Sequence, residues 1–195
     1  MVRVIDLHNI RNITISGRIG SGATTLAQKL SHALGWNMLD GGKIMRKIHE
    51  EIGAAVFATE ARPDQFDLDY EEKVKNILKE EAYQIIQSHL AGFDAQGIEG
   101  VFKILVVCED KEGDDRIDMR IDRLVNRDGI SVDEAKHEAL ERDKQNLSKW
   151  RRLYAEGDQN WAYWDKKYYD LVVNTYSHNK DQALSFVLEA VGHKT

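Results

Sequence analysis

A glycine-rich turn near the start limits what this chain can become. Ile13-Thr14-Ile15-Ser16 favours a β-strand. Gly17-Arg18-Ile19-Gly20-Ser21-Gly22 follows it. Ala23 to Leu34 then carries Leu26, Ala27, Leu30, Ala33 and Leu34 at helical spacing, with Gly35 placed to end the helix. Strand, glycine turn and helix together make the setting of a phosphate-binding loop. Glycines let successive backbone N–H groups point at one anion, and the helix adds its first N–H groups and its positive dipole end. The spacing Gly17-x-x-x-x-Gly22-Ala23-Thr24 matches G-x-x-x-x-G-K-[ST] except that Ala23 stands in place of the lysine. The hydroxyl of Thr24 suits Mg²⁺. The absent lysine leaves the charge of the β- and γ-phosphates to another cation, and Arg18, inside the loop, is a candidate. The bland alternative is an ordinary strand-to-helix turn, and the agreement of strand, loop and helix weighs against it.

The rest of the chain alternates in the same way. Asn37 to Asp40 reads as a second strand broken by Gly41-Gly42, and Lys43 to Ile52 as a helix. Gly53 to Asp67, with the chain's one proline Pro63, reads as a loop, and Tyr70 to His89 as one long helix. Leu90 to Gly100 has room for a short strand. Val101 to Cys108 is nearly all apolar, as in a strand buried on both faces. Asp114 to Arg127 reads as a helix, and Ser131-Val132-Asp133-Glu134 is a capping box that starts another, running to about Ala155. Tyr169 to Thr175 is the last strand and Lys180 to Val191 the closing helix. This order predicts a parallel α/β sheet covered on both faces, and 195 residues fit one domain.

A second motif lies in the helix after the apolar strand. Arg116, Arg120, Arg123 and Arg127 fall at about 0°, 40°, −20° and 20° around a helix axis, one narrow stripe. Guanidinium groups match phosphate oxygens in pairs, which lysine does not do. Alone, such a stripe reads as a solvated face neutralised by Asp115, Asp118 and Asp122. Beside a phosphate loop it reads as a lid that supplies the cations Ala23 lacks. The aromatic stretch of Trp150, Trp161, Tyr163, Trp164, Tyr168 and Tyr169 reads as packing between the last helices.

Composition narrows the partners. The net charge of −6 lacks the basic footprint of a general nucleic-acid binder. No apolar run reaches a membrane span, and Met1 to Asn12 has no signal-peptide core. One cysteine, Cys108, excludes an internal disulfide framework and suits a reducing compartment, so the expectation is a cytoplasmic protein whose partners are small molecules.

Four segments in order resemble the cytidylate kinases and their archaeal-type relatives among the P-loop nucleoside monophosphate kinases. They are the loop Gly17 to Thr25, Leu39-Asp40-Gly41-Gly42-Lys43-Ile44-Met45-Arg46, the arginine helix with Gly129-Ile130-Ser131 and Glu141-Arg142-Asp143, and Tyr169 to Thr175. The resemblance implies a three-layer P-loop NTPase fold over residues 1–195, with a five-stranded parallel sheet in the order 2-3-1-4-5. It also implies an acceptor-binding region over 41–90, a lid and following helix over 111–155, and transfer of the ATP γ-phosphate to CMP or dCMP with Mg²⁺.

The expected roles follow. Gly17, Arg18, Gly20, Ser21, Gly22, Ala23, Thr24 and Thr25 hold ATP, with the N–H groups of Gly20 to Ala23 on the β-phosphate. Thr24 and Asp40 serve the metal. Asp40, Gly42, Arg46, His89 and Arg142 face the acceptor, and Arg116, Arg120, Arg123, Arg142 and Asp40 are the catalytic candidates. Three departures stand out: Ala23 replaces the loop lysine, His89 stands where the family has an acceptor-binding arginine, and Gln145 and Asn146 follow Arg142-Asp143 where further arginines are usual. They keep two alternatives open, a nucleotide-binding protein without turnover and a P-loop kinase for another small acceptor.

Overall fold

β1 (Asn12–Gly17) is buried along its whole length, which places it at the centre of the sheet. The computed structural model describes residues 4–51, residue 59 and residues 62–193. β1 pairs in parallel with β3 (Gln84–Gln87) on one side and β4 (Val101–Val107) on the other, while β2 (Asn37–Asp40) and β5 (Leu171–Asn174) form the edges. The order is β2-β3-β1-β4-β5, the parallel arrangement expected from the sequence.

Side-chain alternation on the strands feeds two layers. Ile13 and Ile15 of β1, with Ile104 and Val106 of β4, meet α1 (Ala23–Leu34) and α8 (Lys180–Ala190) through Leu26, Leu30, Leu34, Val187 and Leu188. On the opposite face Ile86 and Val101 pack with α3 (Asp64–Glu80) and the short α4 (Ala91–Asp94) through Val74, Leu78 and Ala91. α2 (Gly41–Glu51) leaves the end of β2 directly.

The stretch after β4 has a core of its own. α5 (Ile117–Asp128) ends at Gly129, and Ser131 opens α6 (Val132–Lys136) with the expected capping box: the Glu134 N–H donates to Ser131 Oγ and the Ser131 N–H to Glu134 Oε2. The chain continues through a wider π-helical stretch, His137–Arg142, into α7 (Asp143–Tyr154). Ile121, Leu124, Ala135 and Ala139 close around Ile19 of the glycine loop. The late aromatics pack as expected: Trp150, Trp161 and Tyr163 form a cluster with Leu90, with Phe93 and Trp164 against it.

Three sequence expectations differ from the structure. The helix read over Tyr70 to His89 stops at Glu80, and Gln84–Gln87 is strand β3. The stop is made by a distant residue: Asn12 Nδ2 donates to Leu78 O and Glu81 O, and Asn12 Oδ1 accepts from the Gln84 N–H. The short strand allowed for in Leu90 to Gly100 is instead helix α4. The loop read over Gly53 to Asp67 lies partly outside the described residues, and its end, from Asp64, is the first turn of α3.

Candidate active site

The carboxyl ends of the parallel strands open on one cleft of about 890 Å³. Gly17 to Thr25 line it from the loop, Asp40, Gly42 and Arg46 from the end of β2 and from α2, Tyr70 and Glu71 from α3, and Arg127, Glu138, Arg142 and Trp150 from the stretch between α5 and α7. Open α/β sheets place ligands here because loops from successive strands converge at this edge.

The loop is shaped by positive φ and by side chains beneath it. Gly20 has φ 79°, and a Cβ there would meet Arg120 O at 2.6 Å. Gly22, at φ 100°, turns the chain into α1 with no side-chain cap. The Ser21 N–H donates to Arg18 O at 3.0 Å, closing the loop on itself, so it is used internally rather than free for a ligand. The N–H groups of Gly20, Gly22, Ala23 and Thr24 make no backbone hydrogen bond among the described residues. They are the orphan donors that a helix N-terminus offers an anion.

Five arginines line the cleft, Arg18, Arg46, Arg62, Arg127 and Arg142; Arg116, Arg120 and Arg123 do not. The predicted stripe therefore divides by depth. Arg120 is fully buried: Nε donates to Ile19 O, and its other nitrogens reach Asp115 and Asp143 at 2.6 and 2.5 Å. Arg123 Nη1 donates to Ser21 O and to Thr175 Oγ1, and Nη2 to Thr175 O. Both clamp the loop from below. Arg116 pairs with Asp118 and stacks over Tyr176 at 5.1 Å. Arg127 pairs with Asp128, and Arg142, largely buried, donates to Glu138 Oε1 at 3.0 Å.

Arg18, the candidate stand-in for the lysine, is held sideways. Its Nε donates to Asp143, its Nη1 to Asp115, and its guanidinium lies 4.6 Å from the Trp164 ring centre. His89, half-buried, lines the cleft beside the loop, with Nδ1 2.9 Å from Gly17 O and 3.2 Å from the Tyr163 hydroxyl. Because Gly17 O only accepts, Nδ1 carries the proton. Burial, reinforced by the nearby Arg142 charge, pulls the His89 pKa down to about 4, so the ring is neutral near pH 7. A neutral imidazole holds Gly17 and lines the cleft at the position where the family has an arginine.

Thr24 Oγ1 lies 3.2 Å from Gln87 Oε1 at the end of β3, and Asp40 Oδ1 accepts the Lys43 N–H at the start of α2. Hydroxyl, amide and carboxylate oxygens on one cleft wall are the hard donors that Mg²⁺ takes alongside water and phosphate. Among the described residues, no group of three His, Cys, Asp or Glu side chains forms a cage for a metal. Reading the sequence did not single out Gln87 or Glu71. The helix read through β3 hid Gln87, and by sequence Glu71 is one more charge on an acidic helix. Arg127 was visible in the stripe, but periodicity alone does not say which of four aligned arginines reaches the cleft.

The family model for the cytidylate kinase-like family matches residues 12–177. A cytidylate kinase of Thermococcus sibiricus is 31% identical over 183 residues, 93% of this chain and 88% of that protein. One from Methanopyrus kandleri is 30% identical over 189 residues, covering 92% of each. Among solved structures, a shikimate kinase of Bacteroides thetaiotaomicron aligns over 93% of this chain and 98% of that one, with TM-score 0.57 and 13% identity. An uncharacterised protein of Eubacterium ventriosum aligns over 94% and 99%, with TM-score 0.62 and 14% identity.

Proposed function

The chain belongs to the cytidylate kinase-like family, and from that premise we propose that it transfers the γ-phosphate of ATP to a nucleoside monophosphate, CMP or dCMP first, giving the diphosphate. The observation that carries this reading is the cleft itself. Loop N–H donors, residues of α2 and α3, and the side chains of Arg46, Arg127 and Arg142 all line one cleft.

The N–H groups of Gly20, Gly22, Ala23 and Thr24 cradle the β-phosphate, with Gly17, Arg18, Ser21 and Thr25 shaping the loop around it. Thr24 and Asp40, with Gln87, are the residues to hold Mg²⁺, which when bound neutralises charge shared by the β- and γ-oxygens. Arg46 and Gly42 seat the acceptor phosphate at the start of α2. An acceptor phosphate oxygen then forms a bond to the γ-phosphorus as the bond to the β-bridging oxygen breaks, and ADP leaves. Arg142 and Arg127 spread the charge of that transition state, replacing the lysine absent at position 23. Arg120 and Arg123 contribute through the loop they clamp, Arg116 from the lid's outer edge, and His89 by fixing Gly17. Residues 41–90 form the acceptor side and 111–155 the lid, whose closure excludes water that would otherwise take the phosphoryl group. Buried, unbridged Cys108 and the net charge of −6 favour a cytoplasmic protein acting on small nucleotides rather than on nucleic acid.

The test is ADP formation from Mg·ATP with CMP, dCMP, UMP, AMP or no acceptor, beside the Ala23→Lys variant. Turnover that depends on CMP or dCMP supports the reading. Silence in both proteins despite ATP binding overturns it and leaves a nucleotide-binding protein; turnover with none of the four acceptors but with another small alcohol or acid makes it a different P-loop kinase.

A further inference from the structure

α7 is fastened to the glycine loop at one end and to the stretch leading into α3 along its length. Its first residue, Asp143, accepts from Arg18 Nε at 3.0 Å and from Arg120 Nη2, and Arg120 Nε donates to Ile19 O. Six residues on, about 9 Å along the axis, Lys149 is fully buried. Its Nζ donates to Thr59 O at 3.2 Å, to Arg62 O, and to Asp67 Oδ2 at 2.9 Å, which uses all three of its protons. Arg62 and Asp67, themselves an ion pair, line the cleft. Thr59 is held completely by the same helix: its N–H donates to Gln145 Oε1 at 3.2 Å and its hydroxyl to Asn146 Oδ1 at 2.8 Å. Arg152 pairs with Asp64, the first residue of α3. Positions 145, 149 and 152 follow the i, i+4, i+7 spacing of one helix face. Gln145 and Asn146, which stand where further arginines are usual in the family, thus take up the polar groups of Thr59.

An apolar side chain of similar length would fill the place of Lys149 without the desolvation of an ammonium, so the buried charge argues for fixed geometry rather than for stability. Resting on the kinase reading, we propose that α7 is the spacer of the reaction: Asp143 at its start and Asn146 and Lys149 along it set the distance between the ATP phosphate that is transferred and the acceptor phosphate that takes it. Lys149, fully buried, is out of reach of either nucleotide. It is a positioning residue that acts through Arg62 and Asp67 on the acceptor side, while Asp143 acts through Arg18 and Arg120 on the loop. Transfer needs the reacting atoms about 3–3.5 Å apart and aligned, so a shift of about 1 Å between the two walls lowers the rate about a hundredfold while each nucleotide keeps its own contacts.

The experiment measures, by titration calorimetry, the binding of dinucleotides that join adenosine to cytidine through three to six phosphates, beside CMP alone and a non-hydrolysable ATP analogue alone, and then kcat for transfer to CMP. A linker binds best when its length matches the span between two sites, so wild-type protein is expected to prefer one chain length over its neighbours by roughly tenfold or more. Lys149→Met should flatten that preference to about threefold or less and lower kcat by roughly tenfold or more, with the Kd of CMP and of the ATP analogue nearly unchanged. Thr59→Val, which removes only the hydroxyl donated to Asn146, should move both readouts the same way by less, and it serves if Lys149→Met does not fold. A merely structural Lys149 would weaken both nucleotides and every dinucleotide together and leave the preferred length as sharp as before, which would overturn the inference. So would a wild type that binds all four lengths equally well, a comparison that needs no variant. A sharp length preference lost in the variants, with no turnover by any protein, would sink the kinase reading and leave the spacing role of α7 standing.

Discussion

Ala23 takes one cation from the loop and leaves its N–H donors in place, so the remaining charge must come from residues that face the cleft. Of these, Arg62 and Arg142 are the most buried, and the ion-pair partner of Arg142, Glu138, is itself a cleft residue. Arg142→Met is expected to lower kcat about a hundredfold or more with CMP binding largely kept, checked by steady-state kinetics. His89 sets a different expectation. Its folded pKa is about 4 against about 6.5 for a free imidazole. Below pH 6.5 the unfolded chain takes up a proton that the folded protein refuses. The stabilising contribution is therefore complete above pH 6.5 and is lost as pH falls toward 4, at about 1.4 kcal/mol per unit. Between pH 7 and 5 the wild type should lose roughly 2 kcal/mol more than His89→Asn, read from urea unfolding curves. The resemblance placed His89 on the acceptor side; its neutrality and its contact with Gly17 came only with the fold, because no local pattern announces that a histidine meets a loop 72 residues earlier.

Elements divided in the same way between what was local and what was not. β1, the glycine loop and α1 were legible because turn residues, periodicity and capping agree within one stretch of chain. The capping box of α6 was legible because Ser131 and Glu134 are three residues apart. The end of α3 was not, since Asn12, 66 residues away, takes its last carbonyls and no glycine or proline marks the stop. The arginine stripe is a stripe in the structure too, but the faces of α5 are shared with neighbours that sequence does not show. The half-buried Arg18 and Asp115 and the buried Arg120 and Asp143 join the loop to α5 and α7. Asp143→Asn leaves fully buried Arg120 with one carboxylate, at a cost of about 3 kcal/mol, measurable as a lower urea midpoint and a weakened affinity for ATP. Arg123→Ala takes the guanidinium from the Thr175 carbonyl and leaves the Ser21 carbonyl with the Thr175 hydroxyl alone, and about 2 kcal/mol of stability should go with it.

For the whole molecule, a cleft lined by the glycine loop, by α2 and α3 and by the stretch from α5 to α7 means that one ligand ties three parts of the chain. A dinucleotide joining adenosine and cytidine through a phosphate chain, at about 100 times its Kd, should stabilise the fold by about 2.7 kcal/mol. For a domain of this size that is a rise in Tm of roughly 5–10 °C, checked by thermal unfolding with and without the compound. The strand order also governs how the protein is made. β1 neighbours β3 and β4, and β2 neighbours only β3, so no two adjacent strands exist until residues 84–87 have left the ribosome. At about 5–20 residues per second, Ile13 and Ile15 wait roughly 4–15 s for their first sheet partner. The strand that leads into the glycine loop is thus, during synthesis, an exposed apolar stretch with nothing to pair with, a natural landing place for the chaperones that meet nascent chains.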